Sequence, residues 1–139
     1  MTKKTYNMKK KALPSLVSAV VVAGFPSPAE QYSENPLDLN ELMVRNAPAT
    51  FYVRVVGDSM EGAGIFNGDI LVVDKSLGAQ NGDVVIASVN GEFTVKFLRR
   101  AGGAVSLEAA NPKYAPIRFS TDMELLVWGV VTGLVRRFR

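Results

Sequence analysis

Val84-Val85-Ile86-Ala87-Ser88-Val89-Asn90-Gly91-Glu92-Phe93-Thr94-Val95-Lys96-Phe97-Leu98 reads as two strands joined by a two-residue turn. β-Branched and aromatic residues fill both arms, and Asn-Gly is the strongest short signal for a type I′ hairpin turn. Folding about Asn90-Gly91 pairs Val89 with Glu92, Ala87 with Thr94 and Val85 with Lys96. Lys96 then sits mid-strand, between Val95 and Phe97 and opposite a valine. Outward from the hairpin, Phe51 to Val56 and Asp69 to Asp74 predict strands before it. Gly102-Gly103 predicts a turn after it, followed by strands over Val105 to Ala109, Ile117 to Phe119 and Leu125 to Phe138. Gly129 and Gly133 allow bends or bulges in the last of these. The expected fold is mostly β: an antiparallel sheet of short strands, curled or barrel-like.

The first part of the chain is different. Residues 1 to 23 form a basic arm, and Gly24 to Pro36 holds three prolines in thirteen residues, the composition of a linker or extended arm. Asp38-Leu39-Asn40-Glu41 has capping-box spacing, with Leu39, Leu42 and Met43 on one face, and predicts a short helix over 38–46 packed on the domain. The expected organisation is therefore an arm over 1–23, a linker with a short helix over 24–49 and a β-domain over 50–139.

Composition narrows the chemistry. The 139 residues suit one domain with a real core, and 47% apolar content fits a folded protein. There is no cysteine and no histidine. Disulfides, thiolate nucleophiles, Cys/His zinc sites and every imidazole-based triad are thereby excluded. A serine nucleophile here needs a lysine or a carboxylate as its base. The formal charge is +3, but Lys3, Lys4, Lys9, Lys10 and Lys11 all lie in the arm. The rest carries 11 basic side chains against 13 acidic ones, so a basic groove for nucleic acid is not indicated, and no sequence-specific DNA binding is expected. A solvated basic arm and a nonspecific attraction to polyanions are both open readings of its lysines.

The apolar run Ala12 to Ala23 resembles a secretory leader, with Val21 and Ala23 as the small residues before a cleavage point. Pro14 interrupts helix formation in it, and the run is shorter than the ~20 residues a membrane-spanning helix needs. The β-branched Val20-Val21-Val22 also suits an extended segment added as a strand in a cleft.

Val53-Arg54-Val55-Val56-Gly57-Asp58-Ser59-Met60-Glu61-Gly62 runs a strand into a glycine and presents a serine. Such a turn ordinarily needs its Asp and Ser only to satisfy local backbone; the alternative is a nucleophile at Ser59. Its base would be Lys96. From an ordinary value of ~10.4, about one lysine in a thousand is neutral near neutral pH, and making that form prevail costs about 4 kcal/mol. Burial supplies such a change and exposure does not. Lys96 acts as a base only if sheltered; facing water, it is a solvated strand lysine. Asp69, Asp74 and Asp83 bracket strands and read as turn residues rather than metal ligands, and no phosphate-cradling loop is present. Trp128 reads as core or interface.

Four short patterns agree in order and separation: Gly57-Asp58-Ser59-Met60, Gly68-Asp69-Ile70-Leu71-Val72-Val73-Asp74, Asn81-Gly82-Asp83-Val84-Val85 and Gly91-Glu92-Phe93-Thr94-Val95-Lys96. Together they resemble the self-cleaving Ser-Lys peptidase domain shared by LexA-type repressors and UmuD/MucA-type mutagenesis proteins, over most of residues 24–139. A LexA-type repressor needs a helix-turn-helix domain ahead of the cleavage site, which 23 residues do not make, so the likeness narrows to the UmuD/MucA branch. The resemblance implies Ser59 as nucleophile, Lys96 as general base, Ala23-Gly24 as the scissile bond, and the backbone N–H groups of Asp58 and Ser59 as oxyanion donors. It implies no cofactor and no metal. It further implies a cytoplasmic homodimer off the membrane, stimulated by a RecA–ssDNA filament and serving a UmuC-type Y-family polymerase in translesion synthesis. The leader-like look of the arm is then expected, because signal peptidases also use a Ser-Lys pair on small residues. A noncatalytic binding module of the same fold and a secreted β-domain are the competing readings.

Overall fold

A computed structural model describes residues 12–24, 33–119 and 125–139. Lys3, Lys4 and Lys9 to Lys11, and most of the Pro-rich linker, lie outside those residues. The chain divides into two compact units, 1–42 and 43–139.

In the first unit, β1 (Ser15–Val17) pairs antiparallel with β2 (Glu34–Pro36), with Leu16 opposite Asn35. Sequence reading allowed an extended arm but not this second strand in the linker. Backbone bonds from Ser18 to Ser33 and from Leu37 to Pro14 close the ribbon, and all six of its strand residues are exposed. The expected helix is a single turn and a half, α1 (Leu39–Met43), with the Asp38 carboxylate accepting from the Asn40 N–H as cap. It stops short of residue 46 because the chain re-forms as a separate 3-10 turn over Ala47–Ala49 with Pro48 in its first turn. The expected burial of its apolar face is not found for Leu39 and Leu42, each 61% exposed.

The second unit is an antiparallel sheet of seven strands: β3 (Thr50–Arg54), β4 (Ile70–Asp74), β5 (Val84–Val89), β6 (Glu92–Ala101), β7 (Ala104–Glu108), β8 (Ile117–Arg118) and β9 (Leu125–Val135). Their order across the sheet is β3-β4-β9-β5-β6-β7-β8, so the sheet curls with two open edges and does not close into a barrel. The hairpin register is the expected one, Val89 with Glu92, Ala87 with Thr94 and Val85 with Lys96. Asn90 and Gly91 take φ of 50° and 86°, the positive pair a type I′ turn requires.

β9 threads between β4 and β5, and its register slips twice. Thr132 is the extra residue against β4 beside Gly133, and Trp128 the extra residue against β5 beside Gly129. A side chain at Gly129 would lie 2.6 Å from the Val73 methyl, so only glycine lets the strands approach there. Buried apolar residues form two clusters. Val55, Met60, Ile65, Leu71, Val73 and Ile86 make one, and Val85, Ala87, Leu98, Leu107 and Val130 the other. Val85 and Ile86, adjacent on β5, serve different clusters, as the period of two dictates. Trp128 is half-buried against the first cluster, with the Phe51 and Phe93 rings at 5.0 and 5.9 Å and the Lys75 ammonium 4.9 Å from its ring.

Candidate active site

Past β3 the chain leaves the sheet edge. Gly57 turns it with φ of 103°, its N–H donating to the Asn67 side chain at 3.0 Å, and Ser59 follows. The next residue, Met60, is 1% exposed within the first core cluster. Ser59 is thus held on a loop pinned by a fully buried neighbour, the cheapest way to keep a polar side chain at a cleft without an element of its own.

Lys96 reaches the same point from β6. Its Nζ lies 3.0 Å from Ser59 Oγ and also donates to Thr94 Oγ1 at 2.7 Å and to the Val95 carbonyl at 3.1 Å. The residue is 8% exposed, and burial pushes its amine below the ordinary lysine value. No carboxylate among the described residues forms an ion pair with it. Of the two sequence readings of Lys96, the structure supports the sheltered one. A neutral amine has two hydrogens and one lone pair, which match two acceptors and the Ser59 hydroxyl at these three positions.

Both side chains line a cleft of about 400 Å³, bounded on one side by Val53 to Ser59 and on the other by Phe93 to Lys96, with Leu71 and Ile86 beneath. Such a cleft, in which polar groups converge among apolar side chains, has room for a short peptide segment.

Several site contacts were not legible in the sequence. The Asn111 amide donates to the Asp58 carbonyl at 2.9 Å, the Tyr114 hydroxyl donates to the Asp58 carboxylate, and Lys113 Nζ lies 3.6 Å from it. The phenol and the ammonium together hold the Asp58 carboxyl below its usual range. Asp69, read as a turn residue, does accept from the Phe66 N–H at 2.7 Å, but it also accepts from Arg136 Nε and Nη2, each at 2.6 Å, in a bidentate pair. Asp74 and Asp83 keep turn roles, accepting hydrogen bonds from Ser76 and Gln80. Thr94 was the one site partner open to foresight, since it shares the Lys96 side of its strand two residues away.

Ala23 and Gly24 belong to the first unit, where both are exposed at a bend. No helix among the described residues is long and apolar enough to cross a membrane.

The Peptidase S24-like family model matches residues 15–132. The chain belongs to the S24-like peptidase family. Relatives include protein SamA of Salmonella typhimurium, 45% identical over 84% of this chain and 81% of its own length. Protein ImpA of Shigella flexneri is 44% identical over 84% and 79%, and protein MucA of Escherichia coli 43% over 81% and 77%. The likeness to the UmuD/MucA branch seen in the four sequence patterns is borne out. Membership in the S24-like family supports a serine peptidase in general.

Proposed function

We propose that this S24-like chain is a serine peptidase that cuts its own arm at Ala23-Gly24 with a Ser59–Lys96 dyad. The observation that carries the reading is the 3.0 Å contact between a buried lysine and the serine hydroxyl. Neutral Lys96 takes the Ser59 proton as Oγ attacks the Ala23 carbonyl carbon, and the tetrahedral oxyanion is received by the N–H groups of Asp58 and Ser59. The C–N bond to Gly24 breaks, Lys96 returns the proton to the departing amine, and water hydrolyses the ester. The exposed, β-branched Val20-Val21-Val22 suits the extended conformation a cleft-bound substrate needs. The 35 residues from Gly24 to Ser59 can extend to about 120 Å, enough for attack within a subunit or on a partner.

The processed chain, 24–139, then acts in SOS mutagenesis. It forms a cytoplasmic homodimer, is produced when a RecA–ssDNA filament favours the docked arm, and joins a UmuC-type Y-family polymerase in translesion synthesis. Relatives that include a MucA protein support this assignment.

Incubation of the purified chain from pH 7 to 10 with mass spectrometry tests the chemistry. A fragment beginning at Gly24, produced faster as pH rises and absent from Ser59→Ala and Lys96→Ala, is expected. No cut even with RecA, ssDNA and nucleotide would leave a noncatalytic binding module. Cutting of both variants at the wild-type rate would point to a foreign peptidase and the secretory reading.

A further inference from the structure

The contacts between the 110–114 loop and the nucleophile turn are aimed at backbone. Ala110 N–H donates to the Ser59 carbonyl at 2.8 Å, Gly62 N–H donates to the Ala110 carbonyl at 2.7 Å, and Asn111 Nδ2 donates to the Asp58 carbonyl at 2.9 Å. The two peptides flanking Ser59 are thereby held from one side. The fit is close: a Cβ on Gly62 would lie 2.5 Å from the Ala110 carbonyl oxygen. The Asn111 amide is oriented by its other end, because its Oδ1 accepts the Lys113 N–H at 3.0 Å, leaving the NH₂ to face Asp58.

A peptide is planar and trans, so its C=O and N–H point in opposite directions. Holding the Asp58 carbonyl on Asn111 therefore aims the Ser59 N–H the other way, and among the described residues that N–H donates to no protein acceptor. A second donor to the Asp58 carbonyl, Glu61 N–H, stands at 3.4 Å, beyond the range of a good bond. Without Asn111 only the long Glu61 contact holds the Asp58 carbonyl, so the Asp58–Ser59 peptide gains room to turn and carry the N–H off its aim.

We propose that Asn111 is a positioning residue: by clamping the Asp58 carbonyl it preorganises the Ser59 N–H as an oxyanion donor. The inference rests on the Ser-Lys reading above. An aimed N–H stabilises the charge that develops on the attacked carbonyl without reorganising in the transition state. Asn111 touches neither the substrate nor Lys96 in this scheme.

The test is the pH–rate profile of self-cleavage for full-length wild type, Asn111→Asp, Asn111→Ala and Lys113→Ala, with Ser59→Ala as the blank. Asn111→Asp keeps the acceptor for the Lys113 N–H and loses the donor; Asn111→Ala loses both without adding charge. Both are expected to lower the rate about 10- to 100-fold at every pH, less than the ~100- to 1000-fold of deleting an oxyanion donor outright. The profile midpoint, set by Lys96 and Ser59, should stay that of the wild type. Lys113→Ala, which removes the exposed ion pair to the Asp58 carboxylate and leaves the Asn111 clamp in place, should lose much less activity than either Asn111 variant. Unfolding midpoints are measured alongside, rates are read below them, and Asn111→Ser replaces either variant that does not fold.

Wild-type rates in the Asn111 variants, a loss in the Asp variant alone, or a displaced profile midpoint would each overturn the inference while leaving the Ser-Lys reading intact. An equal loss in Lys113→Ala would do the same, because general docking of the loop would then be what matters. A wild-type chain that is never cut would overturn both.

Discussion

Val17 in β1 and Val73 in β4 are both strand valines, but Val17 is 39% exposed and Val73 wholly buried. Val73 has β3 on one side and β9 on the other, with Met60 and Leu71 in its core cluster. Val17 has one partner strand three residues long, and every strand residue of its ribbon is exposed. A two-stranded ribbon is marginal in water, because it pairs backbone without burying side chains. The comparison teaches that the same β-branched residues build a scaffold where neighbours cover both faces, and a readily opened segment where none do. That division suits the proposed chemistry. The proposed nucleophile sits on the rigid part, and the segment proposed as substrate lies in the part that opens cheaply.

The sharpest way to break the comparison is to cut the same methyls from each region. Leu98→Ala removes a fully buried side chain in the second cluster and is expected to cost about 4 kcal/mol by denaturant unfolding. A loss below about 1 kcal/mol would mean the sheet is no more cooperative than the ribbon.

Next in size is Arg136→Leu, which leaves the buried Asp69 carboxylate without its guanidinium. Hydrogen bonds from Arg136 hold the folded Asp69 carboxyl below its ordinary value, so the stability it contributes is present above the unfolded value of ~3.9. That contribution is lost as pH falls through the lower folded value. The variant should therefore unfold more easily than wild type at pH 7, and the gap should close in acid, where both chains carry a protonated Asp69. An unfolding difference that does not change with pH would remove the ion pair as its cause.

Lys96→Met is expected to act in the opposite direction, raising stability by about 1 kcal/mol at pH 7 by removing a buried charge while keeping most of the stem. Burial lowers the folded value of Lys96, so the unfolded chain binds the proton more tightly. The folded wild type gains stability as pH rises from that lowered value toward the ordinary ~10.4, and its deficit against the variant should shrink over that window. A constant difference from pH 7 to 10 would show that Lys96 is not desolvated.

The smallest effect is Leu16→Ala, at a ribbon leucine 56% exposed, which should change global stability by less than about 0.5 kcal/mol. Hydrogen exchange at the Leu37 amide, which donates to Pro14, should be faster than at Leu98, which donates to Asp83. Equal protection would merge the two regions into one cooperative unit.

The hairpin was legible to the residue because its register depends only on Asn90, Gly91 and the alternation beside them. The two slips of β9 were legible as possibilities, from glycines inside a strand. The helix over 38–46 was over-read: capping and spacing signal a start, but five residues without burial do not propagate further. The pairing of Glu34–Pro36 with Ser15–Val17 was missed because neither triplet has a distinctive pattern. Asn111 lies between the strands expected over Val105 to Ala109 and Ile117 to Phe119, and nothing near it signals an acceptor 53 positions earlier. Arg136 lies in the stretch read as the last strand, 67 positions from its carboxylate.

Sequence alone determined that imidazole, thiol and disulfide chemistry are absent, that the domain is antiparallel β, and that Lys96 stands opposite Val85 in a hairpin. Those conclusions rest on composition and on forces between close neighbours in the chain. Tertiary structure alone decided that Lys96 is buried rather than solvated, that its amine meets Ser59, and that Asn111 holds the peptide ahead of it. These follow from the order β3-β4-β9-β5-β6 and from what covers each face. Turn propensity acts over a few residues, whereas desolvation and long-range hydrogen bonds depend on which distant strands become neighbours.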